Sequence, residues 1–171
     1  MNLFLWGALP YIAFTFLIVG TLVRFFYFER NWTTKSSEFL EKKQLRIANP
    51  LFHFGLLCVI GGHVVGVLIP KTWTAAIGIN DHMYHEGALY MGAVAGIIFI
   101  VGFLLLMKRR FTVPAMKVNT SGLDKWLYLF LTLAIFSGMA GTLLNASGFF
   151  DYRVSIGPWF RSLISFMPDP S

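Results

Sequence analysis

The sequence predicts an all-α, polytopic membrane bundle with four transmembrane helices and the N-terminus outside, and three observations carry that prediction. Charged residues make up only 13% of the 171 positions, against 56% hydrophobic and 17% aromatic, where soluble domains hold about a quarter charged. The charges are also segregated. Four runs carry none: Met1 to Val23, Ile47 to Pro70, Gly87 to Met107 and Trp126 to Phe150. Each is long enough to cross a hydrocarbon core as a helix, which takes roughly 20 apolar residues. The third observation is where the cations fall. Arg24, Arg30, Lys35, Lys42, Lys43 and Arg46 lie between the first and second runs, and Lys108, Arg109, Arg110, Lys117 and Lys125 between the third and fourth. Only three of the fourteen Lys and Arg residues, Lys71, Arg153 and Arg161, fall on the other side. The positive-inside rule then puts both basic loops in the cytoplasm. The net charge of +6 therefore reports topology and does not point to nucleic acid.

The predicted spans are about 3–28, 47–70, 87–107 and 126–147, within a single membrane domain covering 1–171. The first is a retained helix and not a signal peptide, because it lacks a basic n-region, is too long for an h-region and is followed by no small-residue cleavage pattern. Pro10 is expected to kink it or to mark its start at the interface. In the first cytoplasmic loop, Thr33 to Lys43 reads equally as a short capped surface helix or as a solvated connector. Thr120-Ser121-Gly122-Leu123-Asp124 is a cap-like start for the fourth span. The tail from Tyr152 to Ser171, with Trp159, Phe160 and Phe166, is expected to lie at the outer interface with its aromatics at headgroup level. The single cysteine, Cys58, makes neither an intrachain disulfide nor an Fe–S site, so a metal or redox group has to rest on other ligands.

Those ligands are suggested by the second span. Ionisable residues inside a membrane helix are rare and functional by default, and this span holds two, His53 and His63. Ten residues separate them by roughly 15 Å along a helix axis, and ten steps of about 100° end about 80° short of three full turns. Both rings thus project from one broad side at different depths, His53 towards the cytoplasm and His63 towards the outside. A single ion with ligands about 2 Å away cannot be held by both. Two stacked b haems, each taking one axial imidazole from this helix, is the leading reading. Gly55, Gly61, Gly62 and Gly66 allow a planar macrocycle or a neighbouring helix to approach closely. Two other readings stay open: interhelical packing with the histidines hydrogen-bonded, and a proton or ion path. The lack of acidic residues in the second and third charge-free runs weighs against the path.

Outside the third span, His82 and His85 sit among Asp81 and Glu86 and read first as polar residues at a wet helix start. A quinol site on the outer side is a further possibility, with His82 and Lys71 as candidates. Arg24 is placed to snorkel to the interface, and is also a candidate partner for a haem propionate. Met91, Met107 and Met139 read as core filler.

Leu51-Phe52-His53 followed by Gly61-Gly62-His63-Val64-Val65-Gly66-Val67-Leu68-Ile69-Pro70 resembles the second helix of the gamma subunit, a membrane cytochrome b, of respiratory nitrate reductase. Trp6-Gly7 with Pro10-Tyr11-Ile12, Trp32 to Glu38, His82-Met83-Tyr84-His85, Lys108-Arg109-Arg110, Phe150 to Arg153 and Gly157 to Arg161 extend the similarity over essentially the whole chain. The resemblance implies a subunit of the bacterial cytoplasmic membrane that oxidises quinol near its outer side. Electrons then pass through a distal and a proximal haem b to an Fe–S beta subunit and a molybdenum-containing alpha subunit that reduces nitrate. By motif, His53 ligates the proximal haem and His63 the distal one, and Gly62 with His63 lies beside the quinol site. The family has five spans, the fifth supplying the second axial histidine of each haem, and no such helix occurs in these residues. The sequence therefore reads as C-terminally truncated, with those ligands expected beyond Ser171 and with poor haem binding by the isolated chain.

Overall fold

The computed structural model describes residues 3–27, 40–149 and 151–168. All regular structure among them is helical: α1 (Leu9–Tyr27), α2 (Leu45–Leu68), α3 (Lys71–Ala76), α4 (Asp81–Thr112), α5 (Pro114–Val118), α6 (Gly122–Ala146) and α7 (Ile156–Ile164), with a π-helical stretch, Phe4–Ala8, leading into α1. Four helical segments are long and apolar enough to cross a membrane: Phe4–Tyr27, Leu45–Leu68, Asp81–Thr112 and Gly122–Ala146. The expectation for Thr33 to Lys43, and the C-terminal limit of the first span at 28, fall largely outside the described residues.

The helix starts follow from local chemistry. Ser121 caps α6 in a reciprocal box: its hydroxyl accepts from the Asp124 N–H at 3.2 Å, and the Asp124 carboxylate accepts from the Ser121 N–H at 2.9 Å. Asn80 caps α4 by accepting from the Met83 N–H at 2.8 Å. That cap lies seven residues before the charge-free run begins, so α4 extends past the predicted 87–107 at both ends and carries its charged turns beyond the apolar stretch. Pro10 lacks the N–H that an α-helix would direct at the Trp6 carbonyl. That carbonyl accepts instead from the Trp159 indole N–H of α7, at 2.8 Å.

Packing is concentrated between α2 and α4. Lipid gives no hydrophobic drive for helices to associate, so close van der Waals approach has to supply it, and glycine allows that approach. A Cβ added at Gly55 would lie 2.5 Å from the Phe99 backbone nitrogen, and one at Gly102 would collide with the backbone of Phe52 and Leu51. Phe99 and Phe103 are buried beside this contact, and the Phe52 ring lies 5.2 Å from that of Phe99. By contrast α1 buries none of its residues and α6 only Asn145. Their outward apolar faces suit lipid.

Ion pairs lock the cytoplasmic ends. Arg109, only 4% exposed, donates from Nε to Glu41 Oε2 at 2.8 Å and from Nη2 to the Glu41 carbonyl at 2.6 Å. Arg110 donates to Asp124 at 2.7 Å. At the outer end α7 is a clasp. Trp159 reaches the stretch before α1, Tyr11 of α1 donates to the Leu163 carbonyl at 2.8 Å, and Arg161 donates to the Val67 carbonyl of α2 at 2.7 Å.

Candidate functional site

Both histidines of α2 are exposed from the helix and anchored in the same way. His53 Nδ1 lies 2.9 Å from the Asn49 carbonyl, and His63 Nδ1 lies 2.7 Å from the Val59 carbonyl. A carbonyl only accepts, so Nδ1 carries the proton in each neutral ring. Nε2 is left with a free lone pair, and among the described residues it has no hydrogen-bond partner. Metal-ligating histidines are held in this tautomer, the second nitrogen tied to a carbonyl so that the ring is oriented. The donor set thus fits one axial imidazole at each of two depths.

The glycines divide into two kinds. Gly55 is consumed by the contact with α4, and Gly66 faces the Tyr152 ring, whose hydroxyl would lie 3.1 Å from an added Cβ. Gly61 and Gly62 would meet no atom of the described residues within 4 Å. Gly62 is seven residues beyond Gly55, about two turns and so on the same face. Its counterpart on α4, Gly92, is seven residues before Phe99 and equally open. The seam that is closed at Gly55 and Phe99 has therefore opened by Gly62 and Gly92, next to His63.

Residues from three segments cap the outer side of this opening. Arg153, 7% exposed, lies with its guanidinium carbon 3.7 Å from the centre of the Tyr84 ring. It donates to Thr74 at 3.1 Å and to Asp81 at 3.5 Å. The pKa of Tyr152 is raised, first by burial and then by the neighbouring Tyr84, so its hydroxyl stays protonated. Lys71 joins this assembly at the rim, 3.4 Å from Asp81 and 3.3 Å from Asp151. His82 is exposed on the first turn of α4, 3.8 Å from Glu86, while His85 is half-buried. Among the described residues, no three His, Cys, Asp or Glu side chains gather as a metal-binding group. Arg24 is exposed in the last turn of α1.

Sequence reasoning missed Gly92, Tyr84, Tyr152 and the burial of Arg153. For Gly92 a signal was present, since it sits one coil repeat from the Phe99 row. The others depend on contacts between segments tens of residues apart, which no local pattern carries.

The sequence model of the family described as "Nitrate reductase gamma subunit" matches residues 2–171. A nitrate reductase gamma chain of Bacillus subtilis is 46% identical over 168 residues, 98% of this chain and 75% of the relative. The nitrate reductase-like protein NarX of Mycobacterium tuberculosis is 40% identical over 166 residues, 95% of this chain but 26% of its own length. The respiratory nitrate reductase 1 gamma chain of Escherichia coli is 31% identical over 143 residues, 84% of this chain and 62% of the relative.

Proposed function

The chain belongs to the nitrate reductase gamma subunit family, and on that premise we propose that this multi-pass bacterial membrane protein is the di-haem cytochrome b subunit of its complex, oxidising quinol at its outer side. The observation that carries the reading is the shared state of His53 and His63, each held through Nδ1 by a helix carbonyl with Nε2 free to ligate iron. His53 is the ligand at the cytoplasmic, proximal level and His63 at the outer, distal level. Bound there, haem supplies one-electron transfer between an outer quinol and an Fe–S subunit on the cytoplasmic side, ahead of a molybdenum-containing subunit that reduces nitrate.

The chain's own residues divide the remaining work. Gly62 and Gly92 leave the space beside His63 into which a quinol ring slides from the bilayer. Tyr152, against Gly66, bounds that space with a neutral hydroxyl, which orients a quinol oxygen without placing charge in the membrane. Each oxidation gives quinone, two electrons and two protons. The protons leave on the outer side, where exposed His82 accepts them and Lys71, held between Asp81 and Asp151, keeps the rim polar. Arg24 is placed to pair with a propionate at the inner level. The basic ends around Lys42, Lys43 and Arg46 lie on the face where the partner subunits dock.

The test is a reduced-minus-oxidised spectrum, with a potentiometric titration, of membranes holding the complex. Two b-type components are expected, with His53→Ala and His63→Ala each removing a different one. If both variants keep both components, this assignment is wrong.

A further inference from the structure

Resting on the reading that His63 ligates the outer haem, we propose that Arg161 is a positioning residue that tunes that site by charge. Arg161 lies outside the membrane-spanning helices, on α7, yet its guanidinium is half-buried against α2. Its Nη1 donates to the Val67 carbonyl at 2.7 Å. The same guanidinium leaves Gly157 no room for a side chain, with Nη1 3.1 Å from where a Cβ would be. Val67 is four residues beyond His63, so the carbonyl that Arg161 holds is one turn outward on the face that carries the imidazole, roughly 6 Å along the axis. α2 ends at Leu68, and this last turn would otherwise present unpaired carbonyls. The grip therefore has two consequences. It pins the last turn of α2, outward of the ring that the Val59 carbonyl orients, and it fixes a positive charge on the outer side of that ligand. His53, ten residues further down the same helix, feels neither.

A fixed cation disfavours the oxidised, more positive state of a nearby iron, and in a low-dielectric setting that effect is felt over several ångströms. Arg161 thus holds the outer site easier to reduce than it would otherwise be, while leaving the inner one alone. The carbonyl needs only a donor, but the potential needs the charge, and two substitutions separate these needs. Arg161→Gln keeps a donor and removes the charge. Arg161→Lys keeps the charge on a different frame.

The experiment is a potentiometric titration of both b components in membranes holding the intact complex, for the original chain and the two variants. In Arg161→Gln the reduced-to-oxidised ratio of the outer component at a fixed poise should fall severalfold to about tenfold, the latter being 59 mV for a one-electron couple. The inner component should stay where it was, and Arg161→Lys should restore the outer value. An unchanged outer component in Arg161→Gln, or equal movement of both components, overturns the proposal. Failure of the original chain to show two b components would instead overturn the reading beneath it.

Discussion

The inner and outer halves of the α2–α4 pair use the same residue type for opposite ends. In the inner half, Gly55 and Gly102 are filled by the partner helix's backbone, and the contact is sealed beyond the membrane by Arg109 and Glu41. In the outer half, Gly62 and Gly92 fall on the same facing rows, but a Cβ added at either would meet no atom of the described residues within 4 Å. Closure there is left to residues from elsewhere: Tyr152 against Gly66, and Arg161 on the Val67 carbonyl. A glycine in a membrane helix thus provides either contact or space. Which one it provides depends on how near the neighbouring backbone comes, and on the function proposed above it is His63, the histidine with a cofactor and a substrate beside it, that stands in the open half.

The sharpest break of this comparison is at the closed end. Gly102→Val should destabilise the pair by about 3 kcal/mol, the upper end of overpacking costs, because the added atoms meet backbone that cannot step aside. Loss of helical circular dichroism on heating in detergent measures it. Acid should loosen the same end by a smaller amount. Glu41 is held below its ordinary value, chiefly by the Gln44 N–H and further by Arg109. The stabilisation it brings is complete above the ordinary glutamate value of 4.5 and is lost as pH falls through the lower value of the folded state. The melting temperature of the original chain should therefore drop between neutral and strongly acidic pH more than that of Glu41→Gln.

The outer half responds less in stability. Trp159→Phe removes the bond to the Trp6 carbonyl, which Pro10 leaves unserved, and should cost about 1 kcal/mol, read by the same melt. Gly62→Ala has the smallest effect on the fold and the opposite sign, a gain of up to about 1 kcal/mol from helix propensity, since the methyl group enters open space. Its quinol KM should nonetheless rise severalfold. A melt that falls as far as that of Gly102→Val would show that the seam is closed at Gly62 after all.

Much of the site was legible from residue order because its signals are local. His53 and His63 stand out in an apolar run at a spacing that fixes relative depth, and the Ser121 and Asp124 box is written within four residues. Lys71 was read as a quinol-site candidate on the outer side but not as the bridge between Asp81 and Asp151, which lie ten and eighty residues away. The third span was read short because hydropathy marks where charge begins, whereas the helix continues to the Asn80 cap. Arg153 read only as a cation of the outer side, and its burial over Tyr84 had no local signal.

Residue order alone established the four spans and the two histidines at different levels of one helix. Each of these follows from a property repeated along one segment, either solvation by lipid or the period of a helix. Only the packed chain decided which glycines are filled, that the outer seam opens beside His63, and that Tyr152, Arg153 and Arg161 close over it. Those outcomes depend on the distance between axes and on contacts across the chain, and the free energy of such contacts is not a property of any one segment.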